Sequence, residues 1–149
     1  MKNTPRILVL LVLTLFVSSC FKKLKEEIVP SGSATLIANG TNVNLGTPTA
    51  VTLLGVVTIE ANKDKSGYTI LLNKADIKAG KIYDLKSSTG VFTFQHDGTF
   101  YSPSTGTLEI TKFTDNKLVE GKFSFDGNAI GTSGKKMTAS GTFSVNIIL

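Results

Sequence analysis

Alternating apolar and polar residues dominate the C-terminal third of this 149-residue chain. Three segments carry the pattern: TLEITKF at Thr107–Phe113, LVEGKFSFDG at Leu118–Gly127 and MTASGTFSV at Met137–Val145. A period of two residues with one apolar face is typical of strands in an antiparallel sheet that buries one side. We therefore predict three long strands here, with Leu108 and Ile110 facing the core.

Turn residues separate these strands from one another and from shorter strands upstream. Asp97-Gly98 and Asn39-Gly40 favour two-residue hairpin turns, because both central positions of such a turn need a positive φ. A third turn is predicted at 114–116. The upstream predictions are strands at Ala34–Ala38, Val51–Ala61 with a bulge or bend at Gly55, and Tyr68–Asn73, then one helical turn within Lys74–Gly80.

These elements predict a single all-β domain over residues 33–149. Such a domain is long enough to bury about two thirds of its unfolded surface. The one cysteine, Cys20, precedes it, so the apolar core must stabilise the fold without a disulfide. About eight to ten short antiparallel strands fit either a β-sandwich or a flattened β-barrel.

The hairpin around Thr114 has a predicted register. A loop of residues 114–117 pairs Phe113 with Leu118 and Glu109 with Lys122. That register creates a favourable cross-strand charge pair, whereas a shift of two residues would place two glutamates opposite each other. We therefore expect the first register.

The N-terminus has the three zones of a secretory signal peptide. Lys2 and Arg6 supply positive charge, residues 7–17 form an apolar run interrupted only by Thr14, and small residues follow. The run is about half of the roughly 20 apolar residues that a membrane-spanning helix needs. We therefore predict an export signal rather than a transmembrane anchor.

The residues at the end of that run, Val17, Ser18, Ser19 and Cys20, resemble the lipobox of bacterial lipoproteins. The resemblance implies that the Cys20 thiol carries a diacylglyceryl group and that a peptidase removes the signal peptide, residues 1–19. Residues 20–32 would then hold the lipidated cysteine and a short tether. The alternative is an ordinary signal peptide with a chance cysteine near its cut site.

Processing changes the meaning of the formal net charge of +5. After Ile28 there are eleven lysines, nine acidic residues and no arginine, so the β domain carries only about +2. Basic and acidic residues are interspersed there, without the clustered basic face that nucleic-acid-binding proteins use. Nucleic acid is therefore not expected as a partner.

The C-terminal strands resemble those of an uncharacterised family of small Bacteroidetes-type lipoproteins. VEGKFSF at Val119–Phe125 and ASGTFSV at Ala139–Val145 each place phenylalanine two positions after glycine, and GTLEITKF precedes them. The resemblance implies a lipobox, a charged tether and an all-β domain, and it implies no activity. Because the first acid after Cys20 is Glu26, it does not assign the periplasmic or the surface face of the outer membrane.

Candidate chemical groups are few. His96 is the only histidine and precedes Asp97, but neighbouring strand residues point to opposite faces, which argues against a Ser-His-Asp relay. The segment Asn62–Gly67, NKDKSG, imitates the first half of a calcium loop, yet the twelfth position is Asn73 instead of a bidentate glutamate. We predict a surface histidine and a hairpin turn here, with no metal or cofactor.

A carboxylate pair is the next candidate. In the predicted register Glu109 and Glu120 are diagonal neighbours at roughly 7 Å, a separation that could suit inverting glycoside hydrolysis. They lie on a polar face where nothing removes water from either group. We therefore expect a solvated face and predict no catalytic residues.

Aromatic residues give two expectations. A ligand surface could be lined by Tyr68, Tyr83, Phe100 and Tyr101. Large aromatics on strands more often pack inward, so the core is the expected place for Phe92, Phe94 and Phe100.

Together these observations predict a lipid-anchored envelope protein at the outer membrane, with a non-catalytic β domain. Its expected role is structural or an interaction with another envelope protein. The alternative is a binding module for a small apolar ligand or a glycan. An enzyme ranks last, because no reactive constellation accompanies the candidate residues.

Overall fold

The computed structural model describes residues 31–87 and 91–149. The predicted signal peptide, the lipobox and most of the tether lie outside these residues. In the two described ranges, no helix has the length and apolarity to cross a membrane.

Strands make up nearly all the regular structure of the described residues, which confirms the all-β fold class. The ten strands are β1 (Gly32–Ala38), β2 (Thr41–Asn42), β3 (Thr49–Leu53), β4 (Val56–Lys63), β5 (Ser66–Asn73), β6 (Ile82–Asp84), β7 (Phe92–His96), β8 (Thr99–Thr114), β9 (Leu118–Ala129) and β10 (Lys136–Ile148). A 3-10 turn, Lys74–Asp76, follows β5 within the predicted helical segment, and the Asn73 side chain caps it. The sequence did not predict the short strands β2 and β6.

The strands form one sheet whose pairings close into a ring. The ring runs through β10, β3, β4, β5, β7, β8 and β9 and returns to β10. β1 pairs with Ala139–Val145 of β10, on the same edge that β3 uses at Ile147–Ile148. Every pairing is antiparallel except the two-residue contact between β3 and β10, so the predicted antiparallel architecture holds with one short exception.

Inward-facing aromatic side chains fill the centre of the sheet. The rings of Tyr68, Phe92, Phe94, Phe123 and Phe125 contact one another with centroid separations of 4.8–6.4 Å, mostly edge to face. Such pairs stabilise a core beyond the burial of their area. The core is therefore built from packed rings.

The repeated glycine-x-phenylalanine pattern reflects matching contacts between β9 and β10. Gly121 of β9 is paired with Phe143 of β10, and Gly141 of β10 is paired with Phe123 of β9. A Cβ atom at either glycine would overlap the phenylalanine ring of the opposite strand. Each glycine thus leaves room for its partner's ring, as expected where a ring lies over bare backbone.

Two predicted hairpin turns are confirmed, and one predicted strand is wrong. Asn39-Gly40 and Asp97-Gly98 both have positive φ, at 48° and 80° and at 49° and 78°. The segment 51–61 is two strands instead of one, because Leu54-Gly55 forms a turn with φ of 51° and 79°. The sequence suggested a bulge or bend at Gly55 within one strand instead of a hairpin turn that divides it, since leucine is a poor signal for a left-handed turn position.

The predicted register of the β8–β9 hairpin is right in the middle of the strands and wrong near the turn. Glu109 pairs with Lys122 as expected, but Phe113 pairs with Val119 instead of Leu118. The turn is one residue shorter than predicted, with Asn116 at φ 55°. A register shift between Ile110 and Lys112 absorbs the difference.

Candidate functional site

The position where the tether would join the fold is well defined. Backbone N–H of Asn146, near the end of β10, donates to the carbonyl oxygen of Ser31 at 3.0 Å. The predicted lipidation residue Cys20 and its neighbours Val17, Ser18 and Ser19 lie outside the described residues. The described chain therefore begins beside the last residues of β10.

Three turns lie at this same end, which we call the tether end. The backbone N–H of Lys74 donates to the Gly55 carbonyl oxygen at 2.8 Å, and the Lys74 ammonium lies 2.9 Å from an Asp115 carboxylate oxygen. The N–H of Ile147 donates to the Lys117 carbonyl oxygen at 2.9 Å. The turns at 54–55, 74–76 and 115–117 are thus linked to one another and to the end of β10, beside which Ser31 lies.

The tether end carries a cluster of exposed apolar side chains. The cluster, which we call the apolar tip, consists of Val51, Leu53, Leu54, Val56 and Leu71. Leu53 is paired with Val56 across β3 and β4, and Thr58 separates Val51 from Leu71 across β3, β4 and β5. Leu54 is 95% exposed and Leu53 69%. Clustered exposed leucines of this kind commonly mark a contact surface.

The opposite end, which we call the far end, is built from hairpin turns. Its turns are Asn39–Gly40, Asp64–Lys65, Asp97–Gly98 and the 130–135 loop. The Gly98 N–H donates to the Lys65 carbonyl oxygen at 2.9 Å and joins two of these turns.

His96 lies in this far-end region within a small polar network. The Ser66 hydroxyl is 3.2 Å from His96 Nδ1 and accepts a hydrogen bond from the Asp97 N–H at 3.1 Å. His96 Nε2 lies 3.6 Å from an Asp97 carboxylate oxygen. The expectation that His96 and Asp97 point to opposite faces is wrong, because Asp97 sits in a left-handed turn and does not follow the strand alternation.

The network differs from a catalytic relay in its connections. In a Ser-His-Asp relay the hydroxyl and the carboxylate bind Nε2 and Nδ1 respectively, and a buried carboxylate orients the ring. Here the two contacts are exchanged, and the Asp97 side chain is largely exposed. The Ser66 hydroxyl oxygen also accepts a hydrogen bond from a backbone N–H. The geometry suits a clamp between the Asp64–Lys65 and Asp97–Gly98 turns.

The other candidate polar residues are also held by separate partners. The calcium-like segment is a hairpin, as predicted, with Asp64 at φ 54° between β4 and β5. Glu109 forms an ion pair with Lys122 at 3.1 Å, and Glu120 accepts a hydrogen bond from the Ser144 hydroxyl at 3.0 Å. Among the described residues, no three His, Cys, Asp or Glu side chains gather as metal ligands would.

The aromatic residues are arranged differently from the sequence-based expectation. Tyr68 and Tyr101 are buried in the core, whereas Phe100, expected in the core, is 47% exposed. Phe92 and Phe94 are buried as predicted. The error at Phe100 follows from its pairing with Gln95 on the outer face of the sheet, which a two-residue period reveals only once the strand start is known.

Two tyrosines have shifted ionisation. Burial raises the pKa of Tyr68, whose hydroxyl donates to the Thr142 carbonyl oxygen at 3.2 Å. Burial, followed by the nearby charge of Asp76, raises the pKa of Tyr83. Both effects favour the neutral phenol, because each penalises the phenolate.

A shallow groove at the far end combines the exposed ring of Phe100 with polar side chains. Its lining includes Asn62, Asp64, Gly67 and Gln95, and its volume is about 110 Å³. Gly67 stands between Asn62 and Gln95 in the paired strands, and the Asn62 side-chain oxygen lies where a Cβ atom of Gly67 would be. An exposed ring beside amide and carboxylate groups can hold a small polar ligand through stacking and hydrogen bonds.

No protein-family model matches this chain, and no curated protein matches it either. The similarity to small Bacteroidetes-type lipoproteins therefore stays a prediction drawn from the residues quoted above.

Proposed function

We propose that this chain is a lipid-anchored cell-envelope protein at the outer membrane, whose β domain serves as a structural or protein-interaction module. The observation that carries the proposal is the VSSC sequence at Val17–Cys20, which directly follows a short apolar run and a positively charged start. A single acyl chain binds membranes weakly, whereas the diacylglyceryl group of a lipobox cysteine supplies the two chains that stable anchoring needs.

The described domain is compatible with a non-catalytic role. Packed aromatic rings occupy the core, and the candidate polar groups hold neighbouring strands and turns together. Ser66 and His96 join two turns, and Glu109 is paired with Lys122. Reactive residues in enzymes are instead brought together in a cleft, with the base oriented by a buried partner.

The test is cell fractionation of the full chain with a substitution at the proposed lipid site. Cys20→Ser removes the thiol, so we expect the protein to leave the washed membrane fraction or to accumulate uncut. Ser18→Ala is the matched control, because it keeps a small residue in the lipobox and should leave the protein processed and membrane-bound. If Cys20→Ser is processed and membrane-bound like the wild type, the lipid anchor is refuted.

A second candidate function is glycan binding at the far-end groove. The observation that favours it is the exposed Phe100 ring beside Asn62, Asp64 and Gln95. The test is a glycan-array screen of the detergent-solubilised full chain with the wild type and Phe100→Ala. Ile82→Ala, another exposed apolar residue, is the control. Binding that Phe100→Ala abolishes and Ile82→Ala preserves supports this function, and equal binding by all three contradicts it.

A further inference from the structure

The apolar tip projects beyond the point where the tether joins the fold. Ser31 lies level with Asn146, whereas β3 pairs with Ile147 at Ala50 and then continues to Leu53. Leu53 is therefore about four residues further along, or about 13 Å at the rise of a strand. At the tether end, the leucines of the tip reach further from the domain than Ser31 does.

The tether is long enough for the tip and the anchor to reach one surface. Eleven residue steps separate Cys20 from Ser31, and a fully extended chain of that length spans at most about 40 Å. The distance by which the tip projects beyond Ser31 is well within this limit. A bilayer that holds acyl chains on Cys20 is thus within reach of the apolar tip.

Leu54 is an unusual residue for its position. Its φ of 51° is left-handed, and the other non-glycine residues with positive φ in the described ranges are Asn39, Asp64, Asp97 and Asn116. Asparagine and aspartate tolerate this conformation, whereas a bulky apolar residue there is an outlier. Since Leu54 is almost fully exposed, burial of its side chain contributes little to the stability of the domain.

The charged groups beside the apolar tip do not oppose its contact with the apolar part of a lipid bilayer. At the adjoining turn, the Lys74 ammonium group is paired with Asp115 and hydrogen-bonded to the Asn116 side chain. A compensated charge costs less to bring near a membrane than an isolated one. The tip itself consists of aliphatic side chains, which suit the boundary between headgroups and acyl chains.

We propose that the apolar tip inserts into the surface of the lipid bilayer that holds Cys20. This inference rests on the proposed lipid anchor, which supplies the membrane. The anchor and the tip together fix the orientation of the domain, with the far end and its Phe100 groove directed away from the bilayer. Leu53 and Leu54 are the residues that enter the interface.

The experiment uses the full lipidated chain in vesicles of phosphatidylethanolamine and phosphatidylglycerol. Since lipidation blocks the Cys20 thiol, a cysteine introduced by Leu54→Cys is the one thiol available for an environment-sensitive fluorophore. Ile130→Cys is the matched control, because Ile130 is an exposed apolar residue of the far end. Quenching is measured with aqueous iodide and with a lipid that carries a nitroxide on its acyl chain, and flotation reports membrane binding.

We expect the label at position 54 to be shielded from iodide several-fold and quenched by the nitroxide lipid, and the label at position 130 to behave oppositely. If the protein floats with the vesicles and both labels respond alike, the inference is overturned while the anchor stands. Shielding at position 54 without nitroxide quenching means that protein covers the tip, which also overturns it. If the protein does not float, the lipid anchor fails and the inference fails with it.

Discussion

Replacing Leu54 with asparagine is expected to make the folded domain more stable. Leu54 occupies a left-handed position at φ 51° followed by Gly55 at φ 79°, and an asparagine-glycine pair is the preferred sequence for such a turn. The left-handed conformation costs an ordinary L-residue about 1–2 kcal/mol, and asparagine avoids much of this cost through local hydrogen bonding. Because the leucine side chain is 95% exposed, its removal sacrifices little buried apolar area.

The net gain for Leu54→Asn should be about 1 kcal/mol in the free energy of unfolding. For a domain of this length that corresponds to a rise in Tm of about 4 °C. The assay is thermal unfolding followed by circular dichroism, with the wild type and each variant prepared in the same detergent.

Leu53→Asn provides the matched control, because Leu53 is also an exposed residue of the tip. Unlike Leu54, it lies in β3, pairs with Val56 and does not have a positive φ. Asparagine has a low preference for strands, so this variant should be neutral or slightly destabilised. The strain argument is refuted if Leu54→Asn lowers the Tm, or if both variants shift it equally.

Two further predictions concern the core. Gly121→Ala should lower the free energy of unfolding by about 1–3 kcal/mol in a urea titration, because the added methyl group overlaps the Phe143 ring and overpacking is costly. The control Ser124→Ala, on the outer face, should change this free energy little. Equal effects of the two variants would contradict the reciprocal packing of glycine and phenylalanine. Burial raises the Tyr68 pKa above its unfolded value of 10.0, so the stability that the neutral phenol contributes is complete below pH 10 and decreases as the pH rises further. Tyr68→Phe should therefore reduce the decline in stability above pH 10, although loss of the hydrogen bond to the Thr142 carbonyl oxygen costs about 1 kcal/mol at neutral pH. An unchanged alkaline decline would contradict this assignment.

Residue alternation predicted the long strands well because it reports which face of a strand is buried. It placed β9, β10 and the second half of β8, and the inward side of Leu108 and Ile110, both of which are buried. The reciprocal contacts of Gly121 and Gly141 were visible as a repeated glycine-x-phenylalanine pattern, although the strand pairing was needed to assign each ring to its glycine.

The errors share a physical origin in turns that depart from the usual sequence signals. Leu54-Gly55 was missed because apolar residues flank it and leucine is rare at positive φ. The register near Asn116 was displaced because a three-residue turn, balanced by the irregularity at Thr111, is not encoded by alternation alone. Ser66 was not linked to His96 because their contact depends on two hairpins that are distant in sequence.

The apolar tip was not predicted from the sequence, for a different reason. Val51, Leu53, Val56 and Leu71 look like core residues when each strand is examined alone. Only the pairing of β3, β4 and β5 places them together on the outer face. An apolar residue that faces outward cannot be distinguished from a core residue until the strand boundaries are known.

The most direct test of the lipid anchor is mass spectrometry of the N-terminal peptide of the protein isolated from the envelope fraction. We predict a mature chain that begins at Cys20 and carries the added mass of a diacylglyceryl group on that residue. An unmodified peptide that begins at another residue, or a chain that retains residues 1–19, would contradict it.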